Sequence, residues 1–213
     1  NVSKSDLTLS GGTLNLAAVR SIDGASFFVS GGSTLSLSLP TAYTHTVGTV
    51  KDFVTFRATG SGSVLDLGNL QTITGGDGEN DQVHIEALSG GRVDLHSVTG
   101  LIDPATGDLG GRAMHVKADG SGSVVNLSAL QNFLDQSDNA ASFGFQGISS
   151  LTAQAGGVIQ APLLTTLSSV GLVLNGTGTL PYAQITSLKD GLVNLSGADY
   201  VFPNLINADG TDF

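Results

Sequence analysis

Apolar and polar residues alternate along this chain in short bursts, each launched by a glycine-rich turn. After the turns come the pairs Leu14 and Leu16, Leu35 and Leu37, Leu65 and Leu67, Val93 and Leu95, Val125 and Leu127, Ile159 and Ala161, Leu180 and Tyr182, and Tyr200 and Phe202. A spacing of two is what a strand with one buried face requires. A third apolar position follows three residues later, at Val19, Leu70, Val98, Leu130, Leu164, Ile185 and Leu205, where an extra residue carries the chain round a corner; only the second unit breaks step, at Pro40. Before each turn stands another alternating pair: Leu7 and Leu9, Phe27 and Val29, Val54 and Phe56, Val83 and Ile85, Met114 and Val116, Leu151 and Ala153, Leu172 and Leu174, and Val193 and Leu195. Each unit thus carries at least two strands joined by Gly.

The units recur at intervals of about 20 to 34 residues, which is the mark of a molecule built as a stack. With 30 glycines in 213 residues, and no stretch keeping apolar positions at helical spacing for three turns, a helical repeat is excluded. A sandwich of hairpins would not place the same columns in every unit. Parallel coils do, each strand lying about 4.8 Å over its equivalent. The fold expected is all-β: one domain over 1–213, a single-stranded parallel β-helix (β-solenoid) of about eight coils. Short coils occupy about 1–39 and 151–213, and long-loop coils about 40–150.

The units Gly62-Ser63-Val64-Leu65-Asp66-Leu67-Gly68-Asn69-Leu70 and Gly122-Ser123-Val124-Val125-Asn126-Leu127-Ser128-Ala129-Leu130 resemble the β-strand repeats of large bacterial surface and adhesin-like proteins, which form parallel β-helices. The resemblance covers essentially the whole chain. It implies a stalk, shield or adhesive segment, and it carries no fixed functional residue to map. Right-handed winding is implied by the usual chirality of parallel crossovers.

Composition narrows the partners. Eight Lys and Arg against eighteen Asp and Glu give a net charge of −10, which leaves no polybasic face for nucleic acid. No run of eighteen apolar residues exists to span a bilayer. No leader-like segment stands at Asn1, so a mature chain or an excised piece of a longer one is expected. An acidic, low-charge β-protein without Cys fits a secreted or cell-surface product.

The extra length of the central units falls at one corner, in 40–52, 74–82, 100–112 and 134–150. Stacked in register, these insertions lie side by side on one flank, and loops on a rigid scaffold are where function gathers. Phe143 and Phe145, in the longest insertion, read as a lid packed on the flank or as an apolar contact.

The sharpest chemistry in these loops is Gly75-Gly76-Asp77-Gly78-Glu79-Asn80-Asp81-Gln82-Val83, which resembles the calcium-binding nonapeptide G-G-x-G-x-D-x-U-x with one extra residue before Asp81. Bound Ca²⁺ would take oxygens from Asp77, Glu79, Asn80 and Asp81, with Asp103 or Asp108 from the neighbouring coil; an ordinary acidic turn is the alternative. No other cofactor is expected.

Three outward constellations remain. Thr55, His84 and His115 form one column and Arg57, Glu86 and Lys117 the next, a charge ladder that fixes register. Its catalytic alternative is a polysaccharide cleft of His84, Glu86, His115 and Lys117. Asp66 and Asp94 align, with Asn126 after them and Asn15 before, at a separation like that of a retaining glycosidase pair. The outward column Thr8, Phe28, Thr55, His84, His115, Thr152, Val173 and Asn194 is too mixed to bind ice. The Asn-x-Ser/Thr matches at Asn1, Asn126, Asn175 and Asn194 belong to the repeat itself.

Together these features lead us to expect a non-enzymatic extracellular structural or adhesive element. Without a capping helix, its ends either continue into further chain or dock end to end, and the second case gives a filament. The alternative is a glycan-binding module or polysaccharide lyase using the long-loop flank, with a glycan or surface receptor as partner.

Overall fold

A computed structural model describes residues 1–45, 52–137 and 147–213. Among them every helix or strand is a strand, arranged in three parallel sheets of eight, six and six strands, and no helix is long and apolar enough to cross a membrane. The long sheet takes Asp6–Ser10, Ser26–Ser30, Phe53–Thr59, Gln82–Leu88, Ala113–Asp119, Ser149–Gln154, Val170–Leu174 and Leu192–Leu195. The second takes Thr13–Asn15, Thr34–Ser36, Val64–Asp66, Arg92–Asp94, Val124–Asn126 and Val158–Gln160. The third takes Ala42–Thr44, Thr72–Thr74, Gly100–Asp103, Asn132–Asp135, Thr166–Ser168 and Ser187–Lys189. Strands of successive repeats are neighbours in each sheet, an arrangement that fits a parallel β-helix.

The columns after the glycine turns hold. Leu14, Leu35, Leu65, Val93, Val125 and Ile159 are register partners in the second sheet. From Leu35 to Ile159 the column is fully buried. The corner three residues on is closed by the same hydrogen bond in repeat after repeat: Leu70 N donates to Leu67 O at 3.0 Å, Val98 N to Leu95 O at 3.0 Å and Leu130 N to Leu127 O at 2.9 Å. Pro40 does not break step there. It lies three residues after Leu37, is buried, and fills the place of the missing leucine without an N–H to donate.

Before the turns the register differs from the expected alignment. Phe27 pairs with Phe56 rather than Val54, and Leu151 with Val116 rather than Met114. The cause is strand length. The long-sheet strands of the three middle repeats have seven residues where Asp6–Ser10 and Ser26–Ser30 have five. The additional residues precede the shared ladder, so pairs counted from the strand start slip by one pleat period. The outward column therefore divides: Thr8, Phe28, Arg57, Glu86, Lys117, Thr152, Val173 and Asn194 form one ladder, while Thr55, His84, His115 and Ser150 form another.

The third sheet lies just after the corner, partly within what reads as insertion. Each strand contributes one buried apolar residue, Tyr43, Ile73, Leu101, Phe133, Leu167 or Leu188. The signal was present as a constant offset of three from Pro40, Leu70, Val98, Leu130, Leu164 and Ile185.

In three repeats a serine after the glycine turn ties the repeat to the one before. Ser63 Oγ accepts from Gly32 N at 3.1 Å, Ser123 Oγ accepts from Gly90 N at 2.9 Å, and Ser33 Oγ accepts from Gly11 N. All three serines are buried. In other repeats glycine takes the serine's place, and close approach explains it: a Cβ on Gly91 would lie 2.2 Å from Ala58 O and one on Gly157 2.3 Å from Ala118 O.

Candidate functional site on the long-loop flank

Where the third sheet ends, the loops leading to the long sheet lie side by side as far as they are described. Asp108 N donates to Asp77 O at 2.9 Å, Asn80 N to Gly110 O at 2.7 Å, and Gln82 N to Asp52 O at 3.0 Å. Phe143 and Phe145, and part of the first and last insertions, lie outside the described residues.

The expected calcium ligands are distributed rather than gathered. Asp81 is buried and turned to backbone, its Oδ2 accepting from Gly78 N at 2.8 Å and its Oδ1 from Asp52 N at 3.2 Å. Asp108 Oδ1 accepts from Gly110 N at 3.0 Å, and Glu79 Oε1 accepts from Asn80 Nδ2 at 3.1 Å. Asn80 sits at φ +59°, the left-handed position an Asn tolerates in a turn. Asp77 lies on the exposed surface, and Asp103 points inward, 1% exposed. Among the described residues no three His, Asp or Glu side chains converge to hold a metal ion.

Asp103 belongs instead to a buried polar corner that the sequence did not reveal. Asp103 and Asp135 are register partners in the third sheet, and both are buried. Asp135 is satisfied: Oδ1 accepts from Ser137 N at 3.0 Å and Ser137 Oγ at 2.5 Å, and Oδ2 accepts from Ser149 N at 2.8 Å. Arg112, wholly buried, donates from Nη1 to Thr106 O at 2.6 Å and from Nη2 to Pro104 O. Its Nε stands 3.5 Å from Asp103 Oδ2, and neither atom has a hydrogen-bond partner. Burial, then the Asp135 charge alongside, push the Asp103 carboxyl up to about 8 against the opposing pull of Arg112.

On the same corner, two repeats earlier, His45 is buried with both ring nitrogens lacking a hydrogen bond, Nε2 lying 3.6 Å from Asp52 Oδ2. It helps line a pocket of about 370 Å³ whose other walls include Thr44, Thr74, Asp77, Pro104 and Thr106. His45 and Arg112 carry no repeat signature; only the inward column running from His45 through Gly75 to Asp103 and Asp135 could have exposed their corner.

The other constellations resolve into local pairings. Arg57 Nε meets Glu86 Oε2 at 2.5 Å, but Lys117 turns along its own strand to Asp119 Oδ2 at 2.9 Å, so Glu86 stands beside one paired cation rather than two. The His84 and His115 rings lie 5.2 Å apart. His115 Nδ1 shares a hydrogen with Ser150 Oγ at 2.9 Å, and His84 Nε2 with Gln82 Oε1 at 3.1 Å. Burial lowers both imidazoles, His115 to about 4 with His84 adding to the effect, so neither is a cation at neutral pH.

Asp66 and Asp94 are adjacent in register, as the alignment requires. Asp66 Oδ1 accepts from Gly68 N at 3.1 Å and Asp94 Oδ1 from His96 N at 3.2 Å, the side-chain-to-backbone turn that starts each corner. Asp94 is also bound by Arg92 Nη2 at 2.8 Å, His96 Nδ1 at 2.9 Å and Asn126 Nδ2 at 3.0 Å. Burial would raise this carboxyl, yet the bonds from Arg92 and His96 hold it below the usual range, the reverse of what a general acid needs. Neither family models, nor curated proteins, nor solved structures yield a match to this chain.

Proposed function

We propose that the chain is a three-sided, right-handed parallel β-solenoid of eight coils that serves as a non-enzymatic structural or adhesive element of a bacterial surface or secreted protein. One observation supports this above the rest: the long sheet keeps parallel register through eight strands. A ladder of that length makes a stiff rod, about 38 Å long at 4.8 Å per strand. The polar groups of the catalytic alternatives, Asp66, Asp94, His84, Glu86, His115 and Lys117, are each bound to a neighbouring side chain or backbone group, as parts of a scaffold are. Terminal coils of such a rod join others through unpaired strand edges, either in continuing chain or in another copy. The half-buried residues Leu7, Leu9, Leu14 and Leu16 at one end, and Tyr182, Tyr200, Phe202 and Leu205 at the other, supply the apolar contact.

Electron microscopy over a concentration series, with calcium and then with chelator, tests this role. Rods of constant width that lengthen with concentration are expected. Discrete particles about 38 Å long at every concentration would refute end-to-end assembly.

A further inference from the structure

We infer that Asn175–Gly176 is a site of self-modification, at which the folded chain converts its own asparagine, through a cyclic imide and with water as the only co-reactant, into aspartate and isoaspartate. It is the one Asn-Gly step in the sequence. It lies in the turn that follows the long-sheet strand Val170–Leu174, where Asn175 is half-buried and Gly176 and Thr177 are exposed.

Nucleophile, electrophile and leaving group are all in place. The nucleophile is Gly176 N, which has no side chain to shield it and, among the described residues, donates no hydrogen bond. After Asn69, Asn80 and Asn126 the corresponding nitrogens are engaged: Leu70 N, Asp81 N and Leu127 N donate to backbone carbonyls at 3.0, 3.2 and 2.8 Å. The electrophile is Asn175 Cγ. Its oxygen, Oδ1, accepts from Thr177 N at 3.0 Å and from Thr177 Oγ1 at 2.8 Å. Donors at such distances draw charge from the carbonyl and stabilise the oxyanion that attack creates. The hydroxyl is held from behind, because Thr177 Oγ1 accepts from Ala155 N at 2.9 Å, and a bond accepted there strengthens the bond donated. The leaving group, Asn175 Nδ2, has no hydrogen-bond partner among the described residues, whereas Asn126 Nδ2 is held by Asp94 Oδ1 at 3.0 Å.

Attack forms the bond from Gly176 N to Asn175 Cγ and closes the imide. The Cγ–Nδ2 bond breaks, and the proton lost by Gly176 N leaves with the amide as ammonia. Water then opens the ring on either side. Cleavage of the bond to Cγ leaves aspartate, and cleavage of the bond to the main-chain carbonyl leaves isoaspartate, with the backbone routed through Cγ. The adjoining turn has little room for that longer path: a Cβ on Gly197 would lie 2.3 Å from Asn175 O, and one on Gly176 would lie 3.0 Å from Gly197 O. Conversion therefore adds a negative charge and loosens the contact between the two turns.

This inference goes beyond the structural role and does not depend on it. The experiment incubates the folded full chain at neutral pH and physiological temperature, follows every asparagine by peptide mass mapping, and detects isoaspartate by enzymatic carboxyl methylation. Asn175 is expected to convert first, with isoaspartate among its products. Thr177→Val should slow the conversion about tenfold, the scale of one hydrogen bond, and Thr177→Ser, which keeps the hydroxyl, should restore the parent rate. Asn175→Gln, whose longer side chain closes the ring less readily, should not convert. The inference is overturned if Asn175 keeps its amide in the folded chain, if another asparagine converts first, or if Thr177→Val, shown to be folded by circular dichroism, converts as fast as the parent.

Discussion

Two corners of this molecule solve the same problem in opposite ways. Where the second sheet gives way to the third, the chain turns on a leucine or valine and one backbone hydrogen bond, and Leu70, Val98 and Leu130 repeat the solution almost unchanged. Where the third sheet gives way to the long sheet, the inward positions are His45, Gly75, Asp103 and Asp135, with Arg112 packed beside them. The first corner depends on apolar burial and local geometry, so any repeat can be stacked on any other. The second depends on particular charged partners, so each of its loops is individual. Repetition supports the three parallel sheets, and departure from repetition creates the polar corner.

The comparison breaks most completely at the apolar side. Leu95→Asp or Leu127→Asp places an unpaired carboxylate at a fully buried position, and a loss of more than about 4 kcal/mol is expected. Thermal unfolding followed by circular dichroism should show no cooperative transition in either variant. Arg112→Ala attacks the polar corner instead. It leaves the Pro104 and Thr106 carbonyls without their charged donor, at a cost of about 1–3 kcal/mol for each. Limited proteolysis should cut first within 103–112 while the long sheet stays protected; simultaneous loss of both would mean that the two corners unfold as one.

Acidity sharpens the contrast, because Asp103 and His115 respond with opposite sign. Asp103 binds its proton more tightly when folded, so its contribution is fully present below the ordinary carboxyl value near 3.8 and is lost as pH rises through about 8. His115 is lowered from 6.5 to about 4, so its contribution is present above 6.5 and is lost as pH falls through 4. The melting-temperature difference between variant and parent should therefore rise with pH across 4 to 8 for Asp103→Asn, and rise as pH falls from 6.5 to 4 for His115→Gln. Each effect has a limiting slope of about 1.4 kcal/mol per pH unit. The smallest effect expected is that of Ser123→Ala, which leaves Gly90 N without its acceptor and costs about 1 kcal/mol by chemical denaturation.

Much of the scaffold was legible because apolar columns report burial directly, and a glycine turn marks where each begins. The long-sheet register was harder to read. Val54, Val83 and Met114 are apolar and inward, but nothing in the sequence states that their strands start two residues early. Tyr43, Ile73, Leu101 and Phe133 give no alternating signal of a strand in the sequence, because one inward apolar residue has no apolar partner two positions away to alternate with. The polar corner was least legible. Arg112 and His45 are single residues, and their burial arises from stacking on repeats about thirty positions away. The calcium-like glycine loop drew notice by its composition, while the inward turn of Asp103 depends on a neighbour that no local motif contains.

The serines of three glycine turns give the stack a polarity. Gly32 donates to Ser63 and Gly90 to Ser123, always from the earlier repeat to the later. A chain that folds as it emerges from a ribosome or a secretion pore, amino end first, therefore holds one unfinished turn at its growing edge. Where the next repeat carries the serine it completes that turn, so the stack lengthens vectorially, like a ratchet advanced by its own synthesis.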